Sequence, residues 1–151
     1  MHEVDINKKN DLGDMPLHIA CREGYLDIVE CLVMYMNSAD IDEKNNDGET
    51  PLWVAYGIKH PDIIKCLMEH GASKNEPNNN GYTPLRVACK ERYFEVVKYL
   101  MEQHEVDIDK SNNNKEIPLN VVCEEGYLEI IQHLVEFEKD ENKKNRYKDI
   151  A

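Results

Sequence analysis

The sequence predicts an all-α solenoid built from repeated pairs of antiparallel helices. Four stretches of the 151 residues share one pattern, and each contains a proline followed by leucine. These prolines, Pro16, Pro51, Pro84 and Pro118, are 35, 33 and 34 residues apart. Such even spacing is typical of stacked supersecondary units. A stacked array offers an extended surface and not an active-site pocket.

Each repeat is predicted to open with a tight turn and a short helix. The turns are rich in Asn and Asp, and Gly13, Gly48 and Gly81 suit the positive φ that such turns require. Proline fits the first helical position, and Thr50 and Thr83 stand where a hydroxyl N-cap is expected. The first helix of each repeat is therefore predicted to begin at its proline.

The second half of each repeat is predicted to be another helix. Gly24 and Gly126 stand where they would end the first helix. The first helix of repeat one is expected to bury Leu17, Ile19 and Ala20. Apolar residues then recur at helical spacing and predict a continuous core. These stripes are Ile28, Val29, Leu32 and Val33; Ile63, Ile64, Leu67 and Met68; and Val96, Val97, Leu100 and Met101.

The five cysteines occupy two recurring positions of the repeat. Cys21, Cys89 and Cys123 share one position, and Cys31 and Cys66 share the other. Both positions lie in apolar stretches of predicted helix, where a free thiol behaves as a small hydrophobic side chain. We therefore expect all five cysteines in the core and neither a disulfide nor a metal site.

Charge and hydropathy limit the classes of partner. The net charge of −12 repels nucleic acid and anionic lipid, so we expect neither as a partner. The acidity is consistent with simple solubility and equally with a basic ligand. No apolar run approaches the roughly 20 residues that a membrane helix needs. The N-terminal residues lack the apolar core of a secretory signal, so we expect a cytoplasmic protein.

The repeat resembles the ankyrin repeat. The motifs that carry this resemblance are a glycine turn, a Thr-Pro-Leu-His-like start, two antiparallel helices and a closing Gly-Ala-Asp-x-Asn at a 33-residue period. Met15-Pro-Leu-His18 matches the start best, whereas Trp53, Arg86 and Asn120 replace its histidine. Repeats are expected at approximately 10–44, 45–77, 78–111 and 112–144, within a single domain spanning 1–151.

Some positions depart from the family's pattern. Lys59 and Arg92 replace the glycine that ends the first helix, so either the turn is altered there or it carries strain of about 1 kcal/mol. Repeats one and three are longer than repeat two, with extra residues at Tyr35 to Ser38 and at His104-Glu105, which we place in loops. Residues 1–9 and 145–151 resemble partial repeats, and we expect an excised segment of a longer array.

The resemblance also implies where a partner binds. Ankyrin-like proteins bind partners with their turn tips and with the inner face near the end of the first helix. The corresponding residues here are Asp11, Leu12, Asp14, Arg22, Glu23, Asn46, Asp47, Glu49, Trp53, Gly57, Ile58, Asn79, Asn80, Tyr82, Lys90, Glu91, Asn113, Asn114, Glu116, Glu124 and Glu125. Acids outnumber the two bases, Arg22 and Lys90, so this surface is predicted to be negative.

Two features of this surface have alternative interpretations. Trp53 is either an aromatic anchor for the partner or a core residue that replaces the family's histidine. The asparagine runs 78–80 and 112–114 either form specific hydrogen bonds at the tips or reflect a compositional bias.

No catalytic pattern is present in the sequence. The six histidines are scattered, and His70 and His104 are expected near the ends of second helices, where a base suits the dipole. The adjacent Glu124 and Glu125 point in different directions on a helix, so they do not suit paired acid–base chemistry. We therefore expect no enzyme and no cofactor or metal.

The function predicted from the sequence is a protein–protein interaction module. It would hold an extended or basic segment of a partner, as a monomer whose ends associate weakly. One alternative is a structural spacer within a longer array. Another is the regulatory or targeting portion of a larger enzyme.

Overall fold

A computed structural model describes residues 3–103, 106–107, 111–112 and 114–150, with side chains described up to residue 141. These residues form nine helices and no strand. The helices are α1 (Pro16–Glu23), α2 (Leu26–Tyr35), α3 (Ser38–Ile41), α4 (Pro51–Gly57), α5 (Pro61–Glu69), α6 (Pro84–Lys90), α7 (Phe94–Met101), α8 (Pro118–Glu125) and α9 (Leu128–Ile150). The all-α fold class is thus confirmed. The chain divides into two compact units, Met1–Asn80 and Gly81–Ala151.

The first helix of every repeat begins at its proline, as predicted. The Thr50 hydroxyl accepts a hydrogen bond from the Trp53 amide at 3.3 Å, and the Thr83 hydroxyl accepts one from the Arg86 amide at 3.3 Å. Both threonines are therefore N-caps. The side chain of His18 serves the start of α1, because its Nδ1 atom accepts from the Met15 amide at 3.1 Å.

The turns between paired helices keep a left-handed residue even where glycine is missing. Gly24 and Gly126 have φ angles of 77° and 72°. Lys59 and Arg92, at the same position of repeats two and three, both have a φ of 60°. The second of the two alternatives therefore holds: the turn keeps its shape, and Lys59 and Arg92 carry the backbone strain. Lys115, in a turn tip, has a φ of 64° as well.

Each compact unit has its own layer of packed helix pairs. In the first unit α1 packs on α2 and α4, and α5 packs on α2 and α4. In the second unit α6 packs on α7 and α8, and α9 packs on α7 and α8. Leu17, Val29 and Leu67 are buried in the first unit, and Leu85 and Leu100 in the second. The predicted apolar stripes of α5 and α7 are buried throughout.

Four predicted core residues are exposed, and these predictions were wrong. Ile19 is 41% exposed, although Val54 and Val121 at the same repeat position are 5% and 4% exposed, so its exposure depends on what lies beside repeat one and not on its place around the helix. Ile28 is 47% exposed, and Cys31 and Cys123 are exposed too. These three positions are buried only where an adjacent repeat covers them, and repeats one and four each leave one side open in the described part of the chain.

Two connecting segments are helical where loops or turns were expected. Ser38–Ile41 in the link after α2 forms the short helix α3. Helix α9 continues to Ile150, although residues 145–150 were predicted to begin a further repeat. The physical reason is that no glycine or proline follows Gly126, while Glu and Lys, which are good helix formers, are frequent. His104 and Glu105 lie outside the described residues, and the repeat boundaries stay predictions.

Candidate partner-binding surfaces

Asparagine side chains shape the turn tips of the first compact unit. The Asn10 Oδ1 atom accepts hydrogen bonds from the Leu12 and Asp14 amides, both at 3.0 Å. Asn45 repeats this arrangement, accepting from the Asp47 amide at 3.0 Å and from the Glu49 amide at 2.9 Å. Side chains that bond to their own backbone in this way hold the turn closed. The first asparagine of each tip therefore has a structural role.

In the second and third tips, the second asparagine links the tip to the one before it. The Asn46 Nδ2 atom donates to the Asp11 carbonyl oxygen at 2.9 Å, and its backbone amide donates to the Leu12 carbonyl oxygen at 3.0 Å. The Asn79 Nδ2 atom donates to the Asp47 carbonyl oxygen at 2.8 Å. This bond of Asn79 lies within the protein, and hydrogen bonding of the run 78–80 to a partner stays a prediction. The three tips of this unit form one connected row.

The tips are packed closely enough to require glycine at one position. A Cβ atom added to Gly13 would lie 2.7 Å from the Asn46 backbone nitrogen, and the φ angle of Gly13 is 76°. No side chain fits there without moving the next tip. Close approach of neighbouring tips thus depends on this residue.

The carboxylates at the tips differ in exposure. Asp11 and Asp47 are exposed and so is Leu12, at 66%. Asp14 is only 1% exposed and lies 2.7 Å from the Arg22 guanidinium, and the Asn45 Nδ2 atom also donates to it at 3.0 Å. The hydrogen bond from Arg22 lowers the pKa of Asp14 below its ordinary value, although burial opposes this. Asp14 thus stabilises the turn and offers no surface to a partner.

Repeat two contributes a buried aromatic pair instead of an aromatic anchor. Trp53 is 8% exposed, and its ring centroid lies 4.9 Å from that of the buried Tyr56. This geometry fits the interpretation of Trp53 as a core residue that replaces the family's histidine. Gly57 at the end of α4 is exposed and Ile58 is half-buried, so these two residues remain accessible.

The second compact unit contains an ion pair that the sequence reasoning missed. The Arg86 Nη2 atom donates to the Glu116 carboxylate at 3.0 Å, and the guanidinium lies 3.9 Å from the Tyr82 ring centroid. Hydrogen bonds from Asn112 and from Arg86 lower the pKa of Glu116. Arg86 occupies the repeat position of His18, whose Nε2 atom reaches the Glu49 carbonyl oxygen at 3.0 Å. An alignment of repeats one and three, which sets Arg86 against His18, would have indicated from the sequence that Arg86 contacts the next repeat.

The remaining predicted contact residues of this unit are charged or polar and exposed. They are Lys90, Glu91, Asn114, Glu124 and Glu125. Asn113 lies outside the described residues. Tyr82 and Glu116 are half-buried by their contacts with Arg86. Five of the seven described contact residues of this unit thus remain open to a partner as charged side chains or amides.

Hydrogen-bonding groups, charges and apolar side chains are what the described residues present at these surfaces. Within the described residues no group of three His, Cys, Asp or Glu side chains could hold a metal ion. Burial raises the pKa of the Cys21 and Cys89 thiols to about 12 and that of Cys66 to about 11. None of these three thiols is poised as a nucleophile. Of the described helices, none is long and apolar enough to cross a membrane.

A family model described as ankyrin repeats (3 copies) matches residues 1–77 and 17–112. The chain belongs to the ankyrin-repeat family. Ankyrin repeats generally serve as protein–protein interaction modules. This ankyrin-repeat chain has the helix pairs, proline starts and turn tips that the resemblance predicted. A comparison with curated protein sequences found no match.

Proposed function

We propose that this ankyrin-repeat protein binds a basic segment of a partner protein through its exposed turn tips and the ends of its first helices. The observation that carries the proposal is the state of Arg22. The side chain of Arg22 is itself 40% exposed, but the buried Asp14 carboxylate lies 2.7 Å away and offsets its charge, while the carboxylates of Asp11, Asp47 and Glu23 are exposed. The accessible charge of the first unit's tips is therefore negative, which favours Lys or Arg in the partner.

The second unit supports the same chemistry. Among its predicted contact residues the exposed acids Glu91, Glu124 and Glu125 outnumber the exposed base Lys90, while Arg92 in the turn after α6 and Lys115 in the turn tip are exposed bases as well. Arg86 is 8% exposed and engaged by Glu116, so it adds little positive potential at the surface. Each unit would offer acidic contacts of its own to a basic ligand.

An apolar contribution is expected beside the first unit's acids. Leu12 is 66% exposed at a tip between Asp11 and the buried Asp14. An exposed leucine flanked by carboxylate suits a ligand whose basic side chains alternate with apolar ones. Trp53 and Asp14 are excluded from this contact set because both are buried.

The proposal can be tested by capturing the partner and measuring its affinity with surface variants. The chain is used as bait in extracts of its own cells, the partner is identified by mass spectrometry, and both proteins are purified. We expect Asp11→Lys with Asp47→Lys to lower the affinity at least tenfold, and Glu124→Lys with Glu125→Lys to act similarly. The matched control is Glu30→Lys with Glu69→Lys, which makes the same charge change at exposed positions on second helices.

Salt provides an independent test of the electrostatic part. Raising the salt concentration from about 50 mM to about 500 mM should weaken the complex, because exposed charges are screened. An affinity that changes with neither salt nor the tip reversals would contradict the proposal. That result would favour a spacer role, or a regulatory role within a larger enzyme, in which these tips carry no ligand.

A further inference from the structure

The third turn tip contains Asn80-Gly81, the single Asn-Gly pair of the sequence. The turn itself favours the glycine, because Gly81 has a φ angle of 80°, which residues with a side chain rarely adopt. In the first two tips the residue before the equivalent glycine is Leu12 or Asp47. The turn that these tips share has therefore set a residue without a side chain directly after an asparagine in the third tip alone.

The carboxamide of Asn80 is accessible and unrestrained. The residue is exposed. Its backbone amide donates to the Asn78 Oδ1 atom at 3.0 Å, but within the described part of the chain no hydrogen bond holds its carboxamide. The Asn80 Cγ atom is therefore free to rotate towards the backbone nitrogen of the next residue.

Five other asparagines of the tips differ in both respects. Asn10, Asn45 and Asn112 accept hydrogen bonds from backbone amides with their Oδ1 atoms. Asn46 and Asn79 donate from their Nδ2 atoms to the preceding tip. Each of the five precedes a residue that carries a side chain. A carboxamide held in this way does not turn towards the next amide nitrogen while the tip is intact.

We propose that Asn80 is a site of spontaneous deamidation. The Gly81 amide gives its proton to solvent and its nitrogen attacks the Asn80 Cγ atom, an approach that no side chain on residue 81 obstructs. The N–Cγ bond forms, the Cγ–Nδ2 bond breaks, and ammonia leaves after taking a proton back from solvent. The product at this stage is a five-membered imide ring.

Water then opens the imide ring at either of its two carbon–nitrogen bonds. Cleavage between the Gly81 nitrogen and Cγ yields aspartate at position 80. Cleavage between the same nitrogen and the main-chain carbonyl carbon yields isoaspartate. Asparagine and water are thus converted to an acid and ammonia, and solvent supplies the only co-reactant.

The two products change the third tip in different ways. Aspartate sets a carboxylate at the position that Asp47 holds in the second tip, and so adds a negative charge. Isoaspartate carries the main chain through Cγ and lengthens it by one atom beside Asn79, whose Nδ2 atom donates to the Asp47 carbonyl oxygen at 2.8 Å. That lengthening would loosen the third tip from the second. The effect of either product on a basic partner rests on the proposed function, whereas the chemistry does not.

The chain contains a matched control for the glycine. Asn114 is exposed and stands at the same position of the fourth tip, but Lys115 follows it with a φ angle of 64°. The exposure and the left-handed φ angle are thus alike at both sites, while the side chain of Lys115 obstructs attack on Asn114. Asn80 should therefore deamidate at least tenfold faster than Asn114.

The test incubates the folded full chain in near-neutral and in mildly alkaline buffer and takes samples over time. Native isoelectric focusing detects the acidic product before any digestion. Peptide mapping by mass spectrometry then locates the mass gain of about one dalton, and enzymatic methylation of isoaspartate reports the second product. We expect the reaction to be at least fivefold faster in the alkaline buffer, because the attacking amide must lose its proton.

Two variants keep the test specific. Asn80→Gln lengthens the side chain, disfavours closure of the five-membered ring and should abolish the acidic product. Leu12→Asn places an asparagine before Gly13, whose φ angle is 76°, and should create a second reactive site. Circular dichroism confirms that each variant is folded.

Equal rates at Asn80 and Asn114 would overturn the proposal. So would deamidation of Asn80 that occurs only in denaturant, since the folded tip would then prevent the attack. An acidic product that Asn80→Gln leaves unchanged, or an unreactive asparagine in Leu12→Asn, would also contradict it. No partner takes part in these measurements, so their failure is distinguishable from a failure of the proposed function.

Discussion

The Nε2 atom of His18 lies 3.0 Å from the backbone carbonyl oxygen of Glu49, one repeat further along the chain. The other ring nitrogen accepts a hydrogen bond from the Met15 amide at 3.1 Å. A ring that accepts at Nδ1 and donates at Nε2 is neutral. Burial lowers the pKa of His18 below its ordinary value of 6.5, although the Glu49 carbonyl opposes this. The link between repeats one and two thus depends on an uncharged histidine.

His18→Ala should lower the free energy of unfolding of the first unit by about 2–4 kcal/mol at pH 7.5, because it removes a buried side chain with two partners. The pKa shift adds a pH dependence. Since the folded-state pKa is depressed, His18 stabilises the fold above pH 6.5, and this contribution is lost as the pH falls through the folded-state pKa. Urea unfolding followed by Trp53 fluorescence at pH 7.5 and about pH 5 measures both effects. An equally steep pH dependence in His18→Ala would contradict the assignment.

Asp14→Asn should destabilise the first unit by about 1–3 kcal/mol at neutral pH, because the charge-assisted bonds to Arg22 are lost. The pKa of Asp14 is lowered in the folded state, so its contribution is present above its ordinary value of 3.8 and lost as the pH falls through the folded-state pKa. The difference between wild type and variant should therefore shrink below about pH 4. Asp11→Asn, at an exposed position, is the control and should change stability by less than about 0.5 kcal/mol.

Lys59→Gly should stabilise the first unit by about 1 kcal/mol, because it removes the strain of a side-chain-bearing residue at a φ of 60°. Arg92→Gly should stabilise the second unit by less than this, because the Arg92 guanidinium lies 4.8 Å from the Tyr127 ring centroid and this contact would be lost. Thermal unfolding of the two variants measures the gain. Lys59→Ala keeps the Cβ atom, so a gain equal to that of Lys59→Gly would argue against backbone strain as the cause.

Leu85→Ala and Leu100→Ala should each cost about 2–5 kcal/mol, because both leucines are buried, at 1% and 0% exposure. The matched control is Leu128→Ala. The side chain of Leu128 is 64% exposed, so this substitution should change the free energy of unfolding by less than about 0.5 kcal/mol. Denaturant unfolding followed by circular dichroism compares the three. Similar losses at all three positions would contradict the burial pattern.

Cys31 and Cys123 should react rapidly with an alkylating reagent under native conditions, while the three buried thiols should not. Burial raises the pKa of Cys21 and Cys89 to about 12 and that of Cys66 to about 11, so little thiolate is present at pH 8. Mass spectrometry after brief labelling identifies the modified residues. In denaturant all five should react, and early labelling of Cys21 or Cys89 would contradict the packing.

The sequence predicted the parts of the fold that depend on local chemistry. Proline fixes where each first helix begins, and the hydroxyls of Thr50 and Thr83 cap those starts. The exposure of Ile28 and Cys123 could not be read from the pattern, because the same residue type is buried or exposed according to what lies beside its repeat. The Arg86–Glu116 pair was missed because Arg86 was considered only as a replacement of the family's histidine, and its partner Glu116 lies in the next repeat.

The asparagine row described above affects what binding costs. Asn46 and Asn79 already tie the three tips of the first unit to one another through backbone carbonyl oxygens. A ligand that contacts these tips meets a preorganised surface, so little conformational entropy is lost in ordering it. Replacing Asn79 with alanine would leave every exposed carboxylate in place. It would free the third tip from the second, and affinity would then fall through mobility although every charged contact to the ligand is retained.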